Sequence, residues 1–381
     1  MENNLKAICG LSLSEIEQLV SPRFRARQIY KWILKGATGF EQMTDIPVSL
    51  QNELNTRFCL FSGKIVCIHE DGETRKIVLE LKDGSKIESV LLSDSKKRLT
   101  ACISTQSGCP CGCIFCKTGS LGFSRNLESF EIVEQFLHLI NIAGNVSRRD
   151  VSSRLCENKN KTNDQHEVDN IVVMGMGEPL LNLPNLRKAI SVLNDKKGLN
   201  FSLRRITVST CGICGSLFDI ANNGPFIRLA LSLVTGDEQL RRKLMPITES
   251  NTLAKIKEAL ILFQQNGGSR VTLEVPLLGG VNTSVKDALS ISDFAKGLNT
   301  VVNIIPWNPV TGLEFEGKPL REPDKKETKD FFSILENQKL KVTMRLRKGK
   351  SINGACGQLG ANHPHCPSKA GRGRTGCQNF C

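Results

Sequence analysis

Several features that mark secreted, membrane and base-stacking proteins are scarce or absent in this chain of 381 residues. It has one Tyr and two Trp, which gives little sign of an aromatic platform for stacking nucleobases. No run of about 18 apolar residues occurs, so the sequence predicts no membrane-spanning helix. The N-terminus lacks a basic region followed by an apolar run and does not resemble a secretory signal. These absences predict a cytoplasmic protein.

Positive charge and cysteine are plentiful. Lys and Arg outnumber Asp and Glu by 51 to 38, a formal net charge of +13. Such a surplus suits a polyanionic partner such as RNA, although a soluble basic enzyme is the alternative. The chain has 15 cysteines and no sign of export. In a reducing compartment, cysteines are metal ligands, catalytic thiols or core residues rather than a disulfide framework.

A glycine-rich segment, residues 101–119, contains three cysteines whose spacing indicates a metal site. Cys109, Cys113 and Cys116 follow the pattern C-x3-C-x2-C. Three thiolates on one loop can bind three irons of a four-iron cluster and leave the fourth iron open to a small molecule. Zinc usually needs a second Cys or Cys/His pair, and none follows nearby. The spacing indicates an open iron–sulfur cluster, and Cys111 is expected to point away from it rather than compete as a ligand.

The pattern of apolar residues predicts an α/β protein in three parts with a tail. Residues 1–60 are predicted to be helical, with Ser12 and Glu15 in the arrangement typical of a helix N-terminus. The basic residues of this unit are predicted to contact RNA, and an ordinary solvated face is the alternative. Residues 61–98 alternate apolar and polar side chains between Asp-Gly turns and predict a β-hairpin extension. Six strand–helix units then predict a partial (β/α)6 barrel over 99–360. Residues 361–381 form a cysteine-rich tail.

The barrel prediction rests on strands that alternate with helices. The predicted strands are Thr100–Ser104, Ile171–Met174, Arg205–Ser209, Arg228–Leu233, Arg270–Val275 and Val301–Ile305. The first helix is expected near Leu127–Ile142, and the polar, aperiodic residues 145–168 after it predict a flexible insertion. Ligands of such folds sit on the loops after the strands.

The loop after the second predicted strand contains the run Met174-Gly-Met-Gly-Glu178-Pro179. Glycines there expose backbone groups to a ligand, and Glu178 offers a carboxylate to an ammonium or hydroxyl group. An ordinary turn with a surface acid is the alternative. The position after a C-x3-C-x2-C loop favours a cofactor site.

Several runs in conserved order carry a resemblance to a known family. The cysteine loop with Phe115 is similar to that of the radical S-adenosylmethionine (SAM) superfamily. From about residue 12 to 360 the chain resembles the RlmN/Cfr family of radical SAM RNA adenine methyltransferases, in its C2 (RlmN-type) branch. The matching runs are CISTQSGC at 102–109, GFSRNL at 122–127, MGMGEPLLN at 174–182, RITVST at 205–210, KLMPI at 243–247, IPWNP at 305–309 and ACGQL at 355–359.

The resemblance implies the cofactors and partners. One [4Fe–4S] cluster would bind to Cys109, Cys113 and Cys116, and its electron would cleave SAM to a 5′-deoxyadenosyl radical, with two SAM molecules used per turnover. An electron donor such as flavodoxin or ferredoxin is implied, no membrane is involved, and the chain is expected to be a monomer. The residues implied to bind SAM are Gly177, Glu178, Ser209, Ser232, Leu233, Val234 and Asn308.

The resemblance also implies an activity, the methylation of C2 of adenine 2503 in 23S rRNA, with adenine 37 of tRNAs as a further substrate. Cys356 would carry the methyl group, Cys102 would attack its sulfur to release the product, and Glu88 would accept the ring proton. On residue type alone, the two cysteines could be core filler and Glu88 the solvent face of a strand. Methylation of C8, another RNA as substrate, or a non-catalytic metal-binding RNA-binding protein are the alternatives.

Other features depart from the family pattern. Val234 follows Ser232-Leu233 where the family usually has His, and Lys350-Ser351 lies before the carrier cysteine where the family is acidic. Cys211 and Cys214 form a C-x2-C pair, which is a weak metal or redox signal. Packing at a helix start is the alternative for that pair.

Overall fold

The fold is known from a computed structural model that describes residues 5–150, 168–344, 349 and 351–360, the side chains of 144–150 aside. The chain begins with a small helical unit, whose first helix starts at the predicted capping box between Ser12 and Glu15. Two short strands close the unit by pairing in parallel. Its elements are β1 Lys6–Ala7, α1 Leu13–Leu19, α2 Phe24–Leu34, α3 Val48–Arg57 and β2 Phe58–Cys59.

A ten-stranded mixed sheet forms the body of the protein. The remaining strands are β3 Lys64–Asp71, β4 Thr74–Glu80, β5 Lys86–Ser93, β6 Leu99–Ile103, β7 Gln106–Gly108, β8 Phe123–Asn126, β9 Asn170–Val173, β10 Ile206–Thr210, β11 Arg228–Ser232, β12 Val271–Leu277, β13 Thr300–Pro306, β14 Glu314–Phe315, β15 Lys318–Pro319 and β16 Val342–Met344. The sheet order is β16-β13-β12-β11-β10-β9-β6-β5-β4-β3. Within this sheet, β6, β9, β10, β11, β12, β13 and β16 run parallel, which confirms the partial barrel. The strands β7 and β8, and likewise β14 and β15, form separate antiparallel pairs.

The antiparallel strands predicted as a hairpin extension continue this sheet. β5 pairs with β6, and Val90 lies opposite Cys102. The hairpins join β3 to β4 and β4 to β5 as the Asp-Gly turns predict. A seventh parallel strand, β16, pairs with β13. Its three residues are too few for an alternation pattern to be recognised in the sequence.

Helices cover the outside of the barrel as predicted. They are α4 Lys117–Ser120, α5 Ser129–Asp150, α6 Leu183–Asn194, α7 Cys214–Asn223, α8 Glu238–Leu244, α9 Leu253–Gln265, α10 Val285–Ala295 and α11 Lys325–Asn337. The helix α5 runs beyond its predicted end at Ile142 and includes 145–150, the start of the predicted flexible insertion. This stretch contains no proline, the residue that would end a helix, and polar side chains alone do not end one. Residues 151–167 of that insertion and the tail 361–381 lie outside the described residues.

The loops that carry the predicted site residues lie together at one edge of the sheet. Parallel strands end at the same edge, so the loops after β9, β10, β11 and β13 converge there. Branched aliphatic side chains fill the strands and pack against the helices, which fixes these strand ends in place. Within the described part of the chain, no helix is both long and apolar enough to cross a membrane.

Candidate active site

The three cysteines of the C-x3-C-x2-C loop line one cavity at the carboxyl edge of the barrel. The loop leaves β7 and returns through β8, and the N–H of Cys109 donates to the carbonyl of Gly122 at 2.8 Å. Gly108 has a φ of 77°, and a Cβ there would lie 2.0 Å from that same carbonyl oxygen. The closure of the loop therefore requires glycine at this position. The structure brings the three predicted metal ligands together.

Strand ends form the facing wall of this cavity. Gly177, Glu178, Ser209 and Ser232 line it, and the hydroxyl oxygens of the two serines lie 3.3 Å apart. The buried carboxylate of Glu178 accepts the N–H of Leu180 at 3.0 Å and the N–H of Cys211 at 2.8 Å. Burial raises the pKa of Glu178, while these N–H groups act in the opposite direction. Glu178 is thus a buried acid at the cavity and not the surface acid of an ordinary turn.

Gly177 lines the cavity and also lets two backbone segments approach each other closely. Its φ is 99°, and a Cβ there would lie 2.5 Å from the Cβ of Gln106. The side chain of Gln106 in turn accepts the N–H of Glu178 at 2.8 Å. Glycine at this position lets the loop approach β7 closely and holds Glu178 at the cavity.

Asn308 presents an unsatisfied polar atom to the same cavity. Its side chain is almost fully buried, and Nδ2 donates to the carbonyl of Cys356 at 3.1 Å. The Oδ1 atom has no hydrogen-bond partner among the described residues. Buried polar atoms are nearly always paired in native structures, so this acceptor fits a site for a ligand with a hydrogen-bond donor. The three soft thiols suit an iron–sulfur cluster, and this acceptor suits a polar group of SAM.

Leu233 and Val234 lie behind the cavity wall rather than on it. Both side chains are fully buried in the core, and neither lines the cavity formed by the described residues. The N–H groups of both donate to the carbonyl of Glu274 at 3.0 and 3.2 Å. Val234 has a φ of 68°, which is rare for a β-branched residue. Their predicted contact with SAM would have to use backbone atoms.

Some cavity residues were not predicted from the sequence. Glu274 lines the cavity from β12, and its carboxylate accepts from Asn303 at 2.9 Å. An acid inside the apolar run VTLEVPL was the available signal for it. Trp307 also lines the cavity, and its indole N–H donates to the carbonyl of Phe115 in the cysteine loop at 2.9 Å.

Cys356 lies on the boundary between this cavity and a second one. The second cavity has a volume of about 500 Å³ and is lined by Cys102, Cys356 and Arg98 among others. Cys356 and Asn308 line both cavities. Cys356 therefore shares one cavity with the three cluster cysteines and the other with Cys102. All 11 cysteines in the described ranges are free, so the disulfide implied between Cys102 and Cys356 is not seen.

Glu88 is buried beside these cavities. It lies on β5 two residues from Val90, and Val90 is directly opposite Cys102, so Glu88 and Cys102 project from the same face of the sheet. Glu88 is 2% exposed and lies 3.5 Å from the ammonium of Lys76, which is equally buried. Burial lowers the pKa of Lys76, and Glu88 opposes this. The interpretation of Glu88 as a solvent-facing acid is wrong, although as described it lines neither cavity.

Comparison with known proteins agrees with this geometry. A partial parallel barrel with three clustered cysteines at its carboxyl edge defines a radical SAM enzyme, and residues 103–290 match the Radical SAM superfamily. Residues 11–60 match the family described as ribosomal RNA large subunit methyltransferase N-terminal domain.

Full-length relatives narrow this class. The chain is 46% identical to the "Probable dual-specificity RNA methyltransferase RlmN" of Treponema denticola, over 93% of this chain and 95% of that protein. It is 42% identical to the protein of the same name from Treponema pallidum, over 93% and 97%. A crystal structure of a radical SAM methyltransferase from Sphaerobacter thermophilus is 33% identical, with a TM-score of 0.84, over 94% of this chain and 100% of that one. The chain belongs to the RlmN family of radical SAM methyltransferases, as the sequence runs predicted.

Proposed function

We propose that this protein methylates C2 of an adenine in RNA, with adenine 2503 of 23S rRNA and adenine 37 of tRNAs as its substrates. The observation that carries the proposal is the position of Cys356, which lines both the cavity of the cluster cysteines and the cavity of Cys102. A methyl carrier needs access to a radical on one side and to the base on the other. The names of the relatives support RNA as the substrate.

The first cavity would hold the cofactors. Cys109, Cys113 and Cys116 supply three thiolates for a [4Fe–4S] cluster, and Glu178 and Asn308 supply acceptors for the polar groups of SAM. When bound, this pair supplies a methyl group and, after transfer of one electron, a 5′-deoxyadenosyl radical. The Ser209 and Ser232 hydroxyls lie where they can orient the nucleoside part of SAM. The apolar walls exclude water from the radical.

Cys356 and Cys102 would then act in sequence. The sulfur of Cys356 would take a methyl group from one SAM, with S-adenosylhomocysteine as the leaving group. Transfer of a hydrogen atom from that methyl group to the 5′-deoxyadenosyl radical would leave a carbon radical that adds to C2. The adduct would then give up one electron, for which a bound cluster would be the acceptor, and its ring proton would pass to Glu88. The thiolate of Cys102 attacks the sulfur of Cys356, so that an S–S bond forms, the C–S bond breaks and its electron pair takes up a proton to complete the methyl group.

Basic side chains of the N-terminal unit suit the RNA. Arg23, Arg27 and Lys31 are exposed on or beside α2. Phosphate contacts by such side chains position RNA without reading its sequence. The unpaired adenine would enter the second cavity, because C2 is hidden in a stacked helix.

Nucleoside mass spectrometry of rRNA and tRNA tests this proposal. Cells that lack the gene are complemented with the wild-type chain, with Cys356→Ala or with Cys214→Ala, a buried cysteine outside both cavities. We expect 2-methyladenosine with the wild-type and Cys214→Ala proteins and none with Cys356→Ala. The appearance of 8-methyladenosine, or of 2-methyladenosine with Cys356→Ala, would overturn the assignment.

A further inference from the structure

Two buried cysteines beside the cluster loop have no part in the proposed reaction. The sulfur atoms of Cys111 and Cys211 lie 3.5 Å apart, although the residues are 100 positions apart in the chain. Cys211 does not pair with Cys214, its partner in the C-x2-C pattern, because the thiol of Cys214 faces the carbonyl of Gly212 at 4.0 Å. The fold thus forms a thiol pair that the sequence spacing does not indicate.

This pair is accessible from the first cavity. Cys111 and Cys211 both line it, next to the three cysteines assigned to the cluster. With those three bound to iron, Cys111 and Cys211 are the adjacent free thiols that remain there. Both residues are almost fully buried, so a small reagent would have to enter this cavity to reach them, and SAM in the same cavity would cover them.

A metal site is the competing interpretation of this pair. The ligand atoms of Cys111, Cys211 and Glu178 lie within 4.8 Å of one another. Both carboxylate oxygens of Glu178 already accept backbone N–H groups, from Leu180 and Cys211. Glu178 is also the acceptor proposed for SAM, and two thiols alone are too few ligands for a zinc ion, so the contact between the two sulfurs favours covalent chemistry between them.

We propose that Cys111 and Cys211 form a redox-active thiol pair that a small disulfide entering the cavity oxidises to a protein disulfide. One cysteine thiol gives up its proton and attacks the small disulfide, which forms a mixed disulfide and releases one small thiolate that takes up this proton. The second cysteine thiol gives up its proton and attacks the protein sulfur of the mixed disulfide, and the second small thiolate leaves and is protonated in turn. Two cysteine thiols are oxidised and one small disulfide is reduced to two thiols.

Oxidation would alter the cofactor site, a consequence that rests on the proposed function. An S–S bond is about 2.05 Å long, so the two sulfurs must approach by roughly 1.5 Å. The N–H of Cys211 holds the carboxylate of Glu178, so this movement disturbs the residue assigned to SAM. The expected result is at least a tenfold loss of SAM affinity, reversed by a reducing dithiol.

Peptide mapping of the cluster-loaded protein tests the pair. The anaerobic holoenzyme is treated with 4,4′-dithiodipyridine, its iron content is measured, and it is then alkylated and digested with trypsin. We expect a disulfide between peptides 99–117 and 206–228, which contain Cys111 and Cys211. The variants Cys111→Ser and Cys211→Ser should lose this cross-link. The controls Cys214→Ser and Cys102→Ser, in the same two peptides, should keep it.

The outcomes separate this inference from the proposed function. No cross-link with iron retained, a cross-link that persists in Cys111→Ser, or one lost in Cys214→Ser would overturn the thiol pair. SAM added before the reagent should slow cross-linking by at least tenfold. If the cross-link forms at the same rate with and without SAM, the thiol pair remains supported and the binding site proposed for SAM is contradicted.

Discussion

Two walls of the cavity that contains the three cluster cysteines are built in different ways. Strand ends carry Glu178, Ser209 and Ser232, and each strand is paired with neighbours on both sides. The other wall, segment 351–360 with Cys356, has no strand partner in the described structure and is held by separate contacts. Its carbonyls at Gly357 and Leu359 accept from Lys117 and Thr118, each at 2.8 Å. One wall is part of the sheet, and the other is docked onto it.

Each wall is supported by a buried cation, and the two cations differ in their partners. Arg241 is fully buried and donates to the carbonyls of Cys211, Ser232 and Leu233 at 2.6, 3.1 and 3.0 Å. Among the residues the structure describes, it has no carboxylate within ion-pair distance. Lys76 instead faces Glu88 and donates to the carbonyl of Asn353 at 3.3 Å.

The two walls differ in how these buried side chains hold them in place. Carbonyls at strand ends can be cross-linked by one planar guanidinium, which fixes them relative to one another. Segment 351–360 is anchored at its ends by Lys76 and by Glu88, whose carboxylate accepts the N–H of Gly360 at 3.1 Å. Cys356, the methyl carrier proposed above, lies between these two anchors. The following substitutions separate the two walls.

The largest loss is expected from Cys113→Ala. Removal of one of three thiolates leaves too few ligands for the cluster, so iron content, SAM cleavage and methylation should all fall to background. Iron analysis and the yield of 5′-deoxyadenosine measure this. Cys214→Ala is the matched control and should keep all three. Retention of iron and SAM cleavage by Cys113→Ala would contradict the ligand assignment.

Cys356→Ala should affect only the function of the wall formed by segment 351–360. The cluster cysteines and the strand wall are untouched, so iron content and SAM cleavage should persist while RNA methylation falls to background. The measurement compares 5′-deoxyadenosine with 2-methyladenosine in the same reaction. Parallel loss of both products would mean that Cys356 also builds the cofactor site.

Arg241→Met should loosen the strand wall. It removes the bonds from the guanidinium to three carbonyls and to the hydroxyl of Thr248, and we expect the free energy of unfolding to fall by about 3 kcal/mol and SAM to bind about tenfold more weakly. Arg241→Lys should recover only part, because an ammonium cannot match the guanidinium fork. Urea unfolding and equilibrium dialysis measure these effects. The adjacent Arg242→Met removes only solvent-accessible ion pairs with Glu238 and Glu249 and should cost below about 1 kcal/mol.

The sequence predicted much of this arrangement, for reasons that differ between the walls. The C-x3-C-x2-C spacing is local, and the strand–helix alternation places Glu178, Ser209 and Ser232 at strand ends whatever the details of packing. The roles of Lys76 and Arg241 were not predicted, since their contacts join segments that only the fold brings together, among them the carbonyls of Asn353 and Cys211. The pairing of Cys111 with Cys211 was not predicted because 100 positions separate them in the chain. The φ of Val234 reflects tertiary contacts that override the preference of valine.

Lys76→Met and Glu88→Gln test whether Glu88 only anchors the segment or also accepts a proton. Either change breaks the buried ion pair by removing one of its two charges and should lower the free energy of unfolding by about 3 kcal/mol. Glu88→Gln still accepts from Gly360 but is a far weaker base. If Glu88 accepts the ring proton, methylation should fall at least tenfold further in Glu88→Gln than in Lys76→Met. Equal methylation rates would limit Glu88 to anchoring.

The smallest effect is expected from Gln358→Met, two residues from Cys356. Gln358 is buried, its Nε2 donates to the carbonyl of Pro309 at 3.1 Å, and its Oε1 accepts the N–H of Ala355 at 3.3 Å. Loss of both bonds costs about 2 kcal/mol, and most of it falls on the docking of the segment. Methylation should therefore decrease several-fold while SAM cleavage stays constant. The exposed Gln265→Met on α9 is the control and should change neither rate. A parallel decrease in SAM cleavage would show that the two walls do not act independently, because a loosened segment would then also disturb the strand ends across the cavity.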